Sequence, residues 1–188
     1  MHQRLSVGYV WELPFGSGHM FPLRGLLDKI AGGWELSGIT TFEAGVPVAV
    51  SYGVDNLGGS GATRPNLLSN PNDTARNLPA QYFQKSAFSE PVPLADVLRN
   101  GQNLILAAGN AGRAPLIGPG IQTWDIGLFK NVQINERIRV QIRGEFFNAV
   151  NHANFSDPNT TFTSAQFGRI TSTSTDPRDI QLGLKIVF

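Results

Sequence analysis

Hydrophobic and polar residues alternate with a period of two in five separate stretches of the chain. This is the pattern of strands whose two faces meet different surroundings. The last stretch is the most regular. Ile180, Leu182, Leu184, Ile186 and Phe188 fall on one side of it, and Asp179, Gln181, Gly183, Lys185 and Val187 on the other. In the stretch before it, Ile138, Val140, Ile142, Gly144 and Phe146 oppose Arg137, Arg139, Gln141, Arg143, Glu145 and Phe147. A third sets Trp124, Ile126 and Leu128 against Asp125, Gly127, Phe129 and Asn131. A fourth sets Trp34, Leu36, Thr40 and Phe42 against Glu35, Ser37, Thr41 and Glu43, with Ile39 out of phase. The first sets Leu5, Val7, Tyr9, Trp11 and Leu13 against Ser6, Gly8, Val10 and Glu12. The pattern predicts strands near 4–13, 34–47, 122–133, 136–148 and 178–188, antiparallel, paired in sequence order, with the apolar sets on one shared face.

Each stretch is about 9–11 residues, the length of a tilted strand that crosses a bilayer. The connections alternate in length. Residues 133–136 form a tight turn and 14–33 a moderate one, whereas 152–177 is long and 48–120 very long. Strands running up and down between two unlike sides give this alternation, with short turns on the periplasmic side and long loops outside. Phe188 then ends in the periplasm. With that polarity fixed, Trp11, Trp34 and Phe188 fall at periplasmic strand ends, and Phe42, Trp124 and Phe146 towards the outer ends. All six lie on apolar faces, where a membrane–water boundary collects aromatic rings. The expected architecture is an all-β, antiparallel, up-and-down transmembrane barrel of about five strands, with 48–120 as a long extracellular loop and the cell outer membrane as its location.

Composition agrees with that reading. Charged residues make up 15% of the 188, against about 25% in an average soluble domain. With 21 glycines and 12 prolines, the chain favours strands and turns over helices. A net charge of +1 gives no reason to expect a nucleic-acid partner. The absence of cysteine excludes disulfides and thiolate metal sites. Met1–Arg4 opens no apolar signal-peptide core, and no run reaches the ~18 apolar residues of a membrane-spanning helix. In 48–120, Pro47-Val48-Ala49-Val50 and Leu104-Ile105-Leu106 are candidates to extend strands above the membrane, and residues 94–98 for a helical turn.

Several segments resemble stretches of the TonB-dependent receptors. They are Gly33-Trp34-Glu35-Leu36-Ser37-Gly38-Ile39, Ala44-Gly45-Val46-Pro47, Arg64-Pro65-Asn66-Leu67 and Gly109-Asn110-Ala111-Gly112-Arg113. So do Trp124-Asp125-Ile126-Gly127-Leu128-Phe129-Lys130-Asn131, Glu145-Phe146-Phe147-Asn148-Ala149-Val150-Asn151-His152 and Phe167-Gly168-Arg169-Ile170. The order is that of such a receptor's C-terminal end, and the branch most similar is the Oar-like one, with a carboxypeptidase-regulatory-like domain. The resemblance implies a receptor and transporter energised through TonB, with outer-membrane lipid, the remaining strands, a plug and the barrel-assembly machinery as partners. A complete receptor of this kind has a signal peptide, a plug, a TonB-contacting box and about 22 strands. This sequence carries none of the first three and only about five strands, and is expected to be a fragment of such a receptor.

Candidate chemistry is sparse. Arg137, Arg139, Arg143 and Glu145, facing Asp179 and Lys185 on the next strand, form a charged stripe. It reads either as a lumen surface or as charges that pair across a hairpin in a solvated interior, each exposed pair contributing about 0–1 kcal/mol. Phe188, closing the apolar row Ile180, Leu182, Leu184 and Ile186, resembles the terminal signal read by the barrel-assembly machinery, or is a girdle residue that happens to be last. His2, His19 and His152 lack ligand spacing, so no metal site is expected. Gly58-Gly59-Ser60-Gly61 is not a nucleophile elbow, and Gly16-Ser17-Gly18 lacks a phosphate-loop Lys. Asn72-Asp73-Thr74, Asn154-Phe155-Ser156 and Asn159-Thr160-Thr161 match a glycosylation pattern by spelling only. Asp55 and Asn56 supply too few oxygens for calcium. With no nucleophile–base pair and no cofactor motif, neither an enzyme nor a bound cofactor is expected. The rival reading is a soluble β-sandwich or a carbohydrate-binding or adhesion module, in which the apolar faces would meet inside between two sheets.

Overall fold

The structure is a computed structural model that describes residues 3–53, 63–72, 78–91 and 109–188. His2, Asp55, Asn56, the Gly58–Gly61 stretch, Asp73, Thr74 and the candidate segments 94–98 and 104–106 lie outside the described residues. Five long strands form one antiparallel sheet: β1 (Arg4–Glu12), β2 (Trp34–Glu43), β7 (Ile121–Gln133), β8 (Arg139–Phe147) and β9 (Asp179–Val187). They lie side by side in that order, which is sequence order. The short pieces are α1 (Leu26–Ala31), β3 (Pro47–Val48), β4 (Asn66–Leu67), β5 (Phe88–Ser89) and β6 (Leu116–Ile117).

Register follows from side-chain chemistry. Ile142 stands opposite Leu184, Val140 opposite Ile186, and Phe146 opposite Ile180. Leu36 and Leu128 are partners across β2 and β7, as are Ile126 and Phe146 across β7 and β8. A one-residue slip would send Arg139 and Arg143 to the apolar side, so the alternation itself pins the pairing. Among the described residues no second sheet covers the apolar face, and Leu182 on it is 83% exposed. The face-to-face sheets that a β-sandwich requires are therefore absent from the described residues.

Three boundaries differ from the sequence expectation. The strand expected over 34–47 ends at Glu43, and Pro47–Val48 instead pairs with Leu116–Ile117 in a separate two-stranded ribbon. At Gly45 the backbone runs so close to the Gly118 carbonyl oxygen that an added Cβ would clash with it. Only glycine permits that approach. The β7–β8 turn spans 134–138 rather than 133–136, which removes Arg137 and Ile138 from β8. The cause is Asn135, whose Oδ1 accepts the amides of Arg137 (2.9 Å) and Ile138 (2.8 Å) and closes an Asx turn. Phe188 lies one residue beyond β9 and is 96% exposed.

The buried core lies outside the sheet. Val50, Tyr82, Phe83, Ala87, Phe88, Leu116, Phe162 and Ile170 form one cluster, all drawn from the two long connections. Phe83, Phe88, Phe162 and Phe167 meet edge to face at 4.8–6.0 Å between ring centroids, the arrangement their ring quadrupoles favour. The long connections therefore fold together as a packed layer at the β2–β7 and β8–β9 ends of the sheet.

Candidate functional site

The five strands present two surfaces of opposite character. One carries Leu5, Val7, Tyr9 and Trp11 from β1, Leu36 and Phe42 from β2, and Trp124, Ile126 and Leu128 from β7. Ile142, Phe146, Leu182 and Leu184 continue it across β8 and β9. Many of these side chains are exposed, a far larger apolar patch than a soluble monomer tolerates. The other surface carries Glu12, Glu35, Asp125, Glu145, Arg143, Arg139, Lys185 and Asp179 in matching register.

A model of the outer membrane beta barrel domain family matches residues 1–181. The chain belongs to that family. Searches of curated proteins and of solved structures each gave no match. An outer-membrane barrel domain resides in the outer membrane and associates with its lipid. Exposed Leu and Ile rows belong against acyl chains, and the charged surface belongs inside.

The charged surface holds the stripe residues Arg139, Arg143, Glu145, Asp179 and Lys185 together, whereas Arg137 sits in the turn before β8. The hairpin ion pairing considered from the sequence does not occur. Arg143 stands opposite Gly183, Arg139 opposite Val187, and Glu145 opposite Gln181, and among the described residues the stripe forms no ion pair. Arg143 lies across Gly183 and occupies the space a side chain there would fill. Higher on the same surface is a hollow of about 470 Å³. Val10, Ile39, Phe129 and Phe147 wall it, with Asp125 and Glu145 beside them. Gly8 leaves open space in it, whereas the Phe129 ring lies over Gly127. Ile39, out of phase in the sequence, faces inward to this hollow. Among the described residues no three of His, Asp and Glu gather as metal ligands.

The aromatic residues expected at the boundaries divide between the two ends of the lipid face. Phe42 and Trp124 meet edge to face at 5.7 Å. Trp11 and Trp34 stand at the opposite end of the sheet. Lys130 shares the lipid face with Trp34, its directly opposite partner on β2. Its Nζ lies 5.0 Å from the Trp34 ring centroid and donates to the Gly32 carbonyl at 2.5 Å. Lys130 falls within the alternating run at a position of the apolar set, after Trp124, Ile126 and Leu128, and was not singled out from the sequence. Lys130 and Gly32 are both buried, so the carbonyl and the Trp34 ring stand in for the water the ammonium has lost.

Asparagines hold the loop layer onto the strand ends. Asn154 is buried, accepts the Gln122 amide at 2.7 Å and donates to the Gln122 carbonyl at 3.0 Å, replacing a strand partner at the start of β7. It also donates to Thr175 Oγ1 at 2.9 Å. Asn148, at φ 48°, receives the His152 amide and donates to the His152 and Asp176 carbonyls. His152 thus serves through its backbone, and the His19 amide closes a local turn onto Gly16. Further out, Asn110 accepts the Leu67 amide at 2.6 Å while Asn66 accepts the Asn110 amide at 3.0 Å. Arg64 donates to the Ala111 carbonyl at 3.0 Å. The signal for these posts was the repeated Asn in short motifs, legible as turn chemistry but not as long-range pairing.

Proposed function

We propose that this barrel is the C-terminal part of a TonB-dependent receptor of the Oar-like branch, which imports a substrate across the outer membrane with energy delivered through TonB. One observation supports the reading above all. The receptor-like segments, far apart in sequence, interlock. Arg64-Pro65-Asn66-Leu67 is bonded to Asn110 and Ala111. The Asn148 amide donates to Asp125 of β7 at 2.9 Å, and Gly168 accepts the Tyr82 amide beside the aromatic core. Motifs that recur for packing reasons should meet in this way.

In this reading the charged stripe faces a plug or polar solute, and Trp11, Trp34, Phe42, Trp124, Phe146 and Phe188 form the boundary girdles. The row Ile180, Leu182, Leu184, Ile186 and Phe188 addresses the barrel-assembly machinery. Substrate recognition belongs to the plug and outer loops. The test is genetic. Deleting the gene and deleting tonB should abolish growth on the same limiting nutrient, with no further loss in the double mutant. A nutrient defect from the gene deletion that the tonB deletion does not share would refute TonB energisation.

A further inference from the structure

The turn between β1 and β2, residues 14–33, carries more exposed apolar surface than a water-filled periplasmic turn needs. Met20 is 80% exposed, Leu26 73% and Leu27 65%, and Phe21 and Ile30 are also exposed. Leu26, Leu27 and Ile30 lie at helical spacing on one side of α1. The side bearing Asp28 is committed elsewhere, because its Oδ1 accepts the Ser17 amide at 2.7 Å and ties the helix back to its own loop. The apolar side therefore faces away from the loop. Arg24 and Lys29 supply positive charge within the same segment.

The position of this segment says what covers it. Its C-terminal end is fixed to the lipid-facing side of the sheet by two contacts. Trp34 Nε1–H donates to the Ile30 carbonyl at 3.0 Å, and Lys130 Nζ donates to the Gly32 carbonyl. Both side chains belong to the face that carries Leu36, Ile126 and Leu128. The apolar side of α1 is thus continuous with the surface already assigned to acyl chains, at the level of the Trp11 and Trp34 rings. We propose that α1 and the loop before it form an interfacial foot that lies in the periplasmic leaflet. Leu26, Leu27 and Ile30 are sunk at the acyl boundary, and Arg24 and Lys29 sit at the lipid phosphates. The foot adds a lipid anchor beyond the strands and fixes the height of the barrel in the membrane.

The chain has no cysteine, so single spin labels can be placed without background. Leu27→Cys and Ile30→Cys carry a nitroxide, with Leu184→Cys as the lipid-face control and Gln181→Cys as the inner-surface control. The protein is purified from outer membranes into vesicles of phosphatidylethanolamine and phosphatidylglycerol. Accessibility to oxygen over a water-soluble nickel complex is then read at each site. The ratio at 27 and 30 is expected to rise into the range of Leu184 and well above that of Gln181. A lipid-like ratio at 184 with water-like ratios at 27 and 30 overturns the foot and leaves the face assignment standing. A water-like ratio at 184 overturns both. None of these readouts depends on TonB, so the outcome is separable from the proposed transport.

Discussion

Adjacent residues on β9 allow a sharp test of which surface meets lipid. Leu182 lies opposite Gly144 and is 83% exposed, so replacing it removes almost no packing within the protein. Gln181, its neighbour, points to the other surface and stands opposite Glu145. Leu182 is close to the middle of β9, where a lipid-facing Arg costs about 2–4 kcal/mol. At about 1.4 kcal/mol per tenfold, Leu182→Arg should lower the folded-to-unfolded ratio by a factor of roughly 30 to 1,000. Gln181→Arg should be neutral or gain up to about 1 kcal/mol from Glu145, the range of an exposed ion pair. The assay is the heat-modifiable folded fraction in outer membranes, with urea unfolding of the reconstituted protein as the quantitative measure. Equal destabilisation by the two changes, or a greater loss from Gln181→Arg, would refute the face assignment. Folding of either variant as a water-soluble monomer without detergent would refute the membrane placement of the sheet.

Asn154→Ala removes a buried side chain and leaves the half-buried Gln122 amide without its partner, and should cost about 1–3 kcal/mol, read as faster proteolysis of the outer layer with the strands still folded. Phe188→Asp should reduce the amount of folded protein in outer-membrane fractions, and Phe188→Ala should reduce it less; equal amounts for Asp and the parent would leave Phe188 as an ordinary boundary residue. Tyr52, in the outer layer, has its phenol pushed above the usual 10.0 by burial and, secondarily, by Glu90. The folded layer therefore favours the neutral phenol. Its stabilisation is complete below pH 10 and is lost as pH rises through the folded value. Absorbance titration of the parent against Tyr52→Phe should show this phenolate forming later than a free tyrosine, and an ordinary midpoint would discount the burial.

The strands were legible because two different solvents impose period two on each of them separately. Nothing distant in the sequence was needed to place Ile180 to Ile186 on one face. Their ends were less legible, because the alternation Ile138, Val140, Ile142 continues past the point where the Asn135 carboxamide closes the turn. Pro47 and Val48 likewise keep a strand-like spelling, yet the close approach of Gly45 to Gly118 redirects them. The outer layer was hidden for a different reason. Its core is assembled from single aromatics, with Phe83 and Phe88 meeting Phe167 across a wide separation in the chain. Irregular backbone gives such residues no period to reveal them. The asparagine posts were visible as motifs but not as partners, since Asn154 finds Gln122 only after the loops have closed.

Placing the only buried apolar cluster of the described residues in the loops has a mechanical consequence. The sheet has no protein core on its lipid face, so lipid contact and backbone pairing hold it, while the outer layer is held by ring packing and asparagine bonds. Pairing, however, stops at both sides: β1 and β9 are the edges of the described sheet. Within a bilayer each unpaired amide or carbonyl costs several kcal/mol, because hydrocarbon offers no partner. Leu182, Leu184 and Ile186 put β9 against acyl chains along most of its length, so its free edge cannot be left to solvent. The membrane state of this sheet must therefore continue into further strands at β1 and at β9 until the ring closes. Among the described residues no strand of the outer layer pairs with either of those two edges.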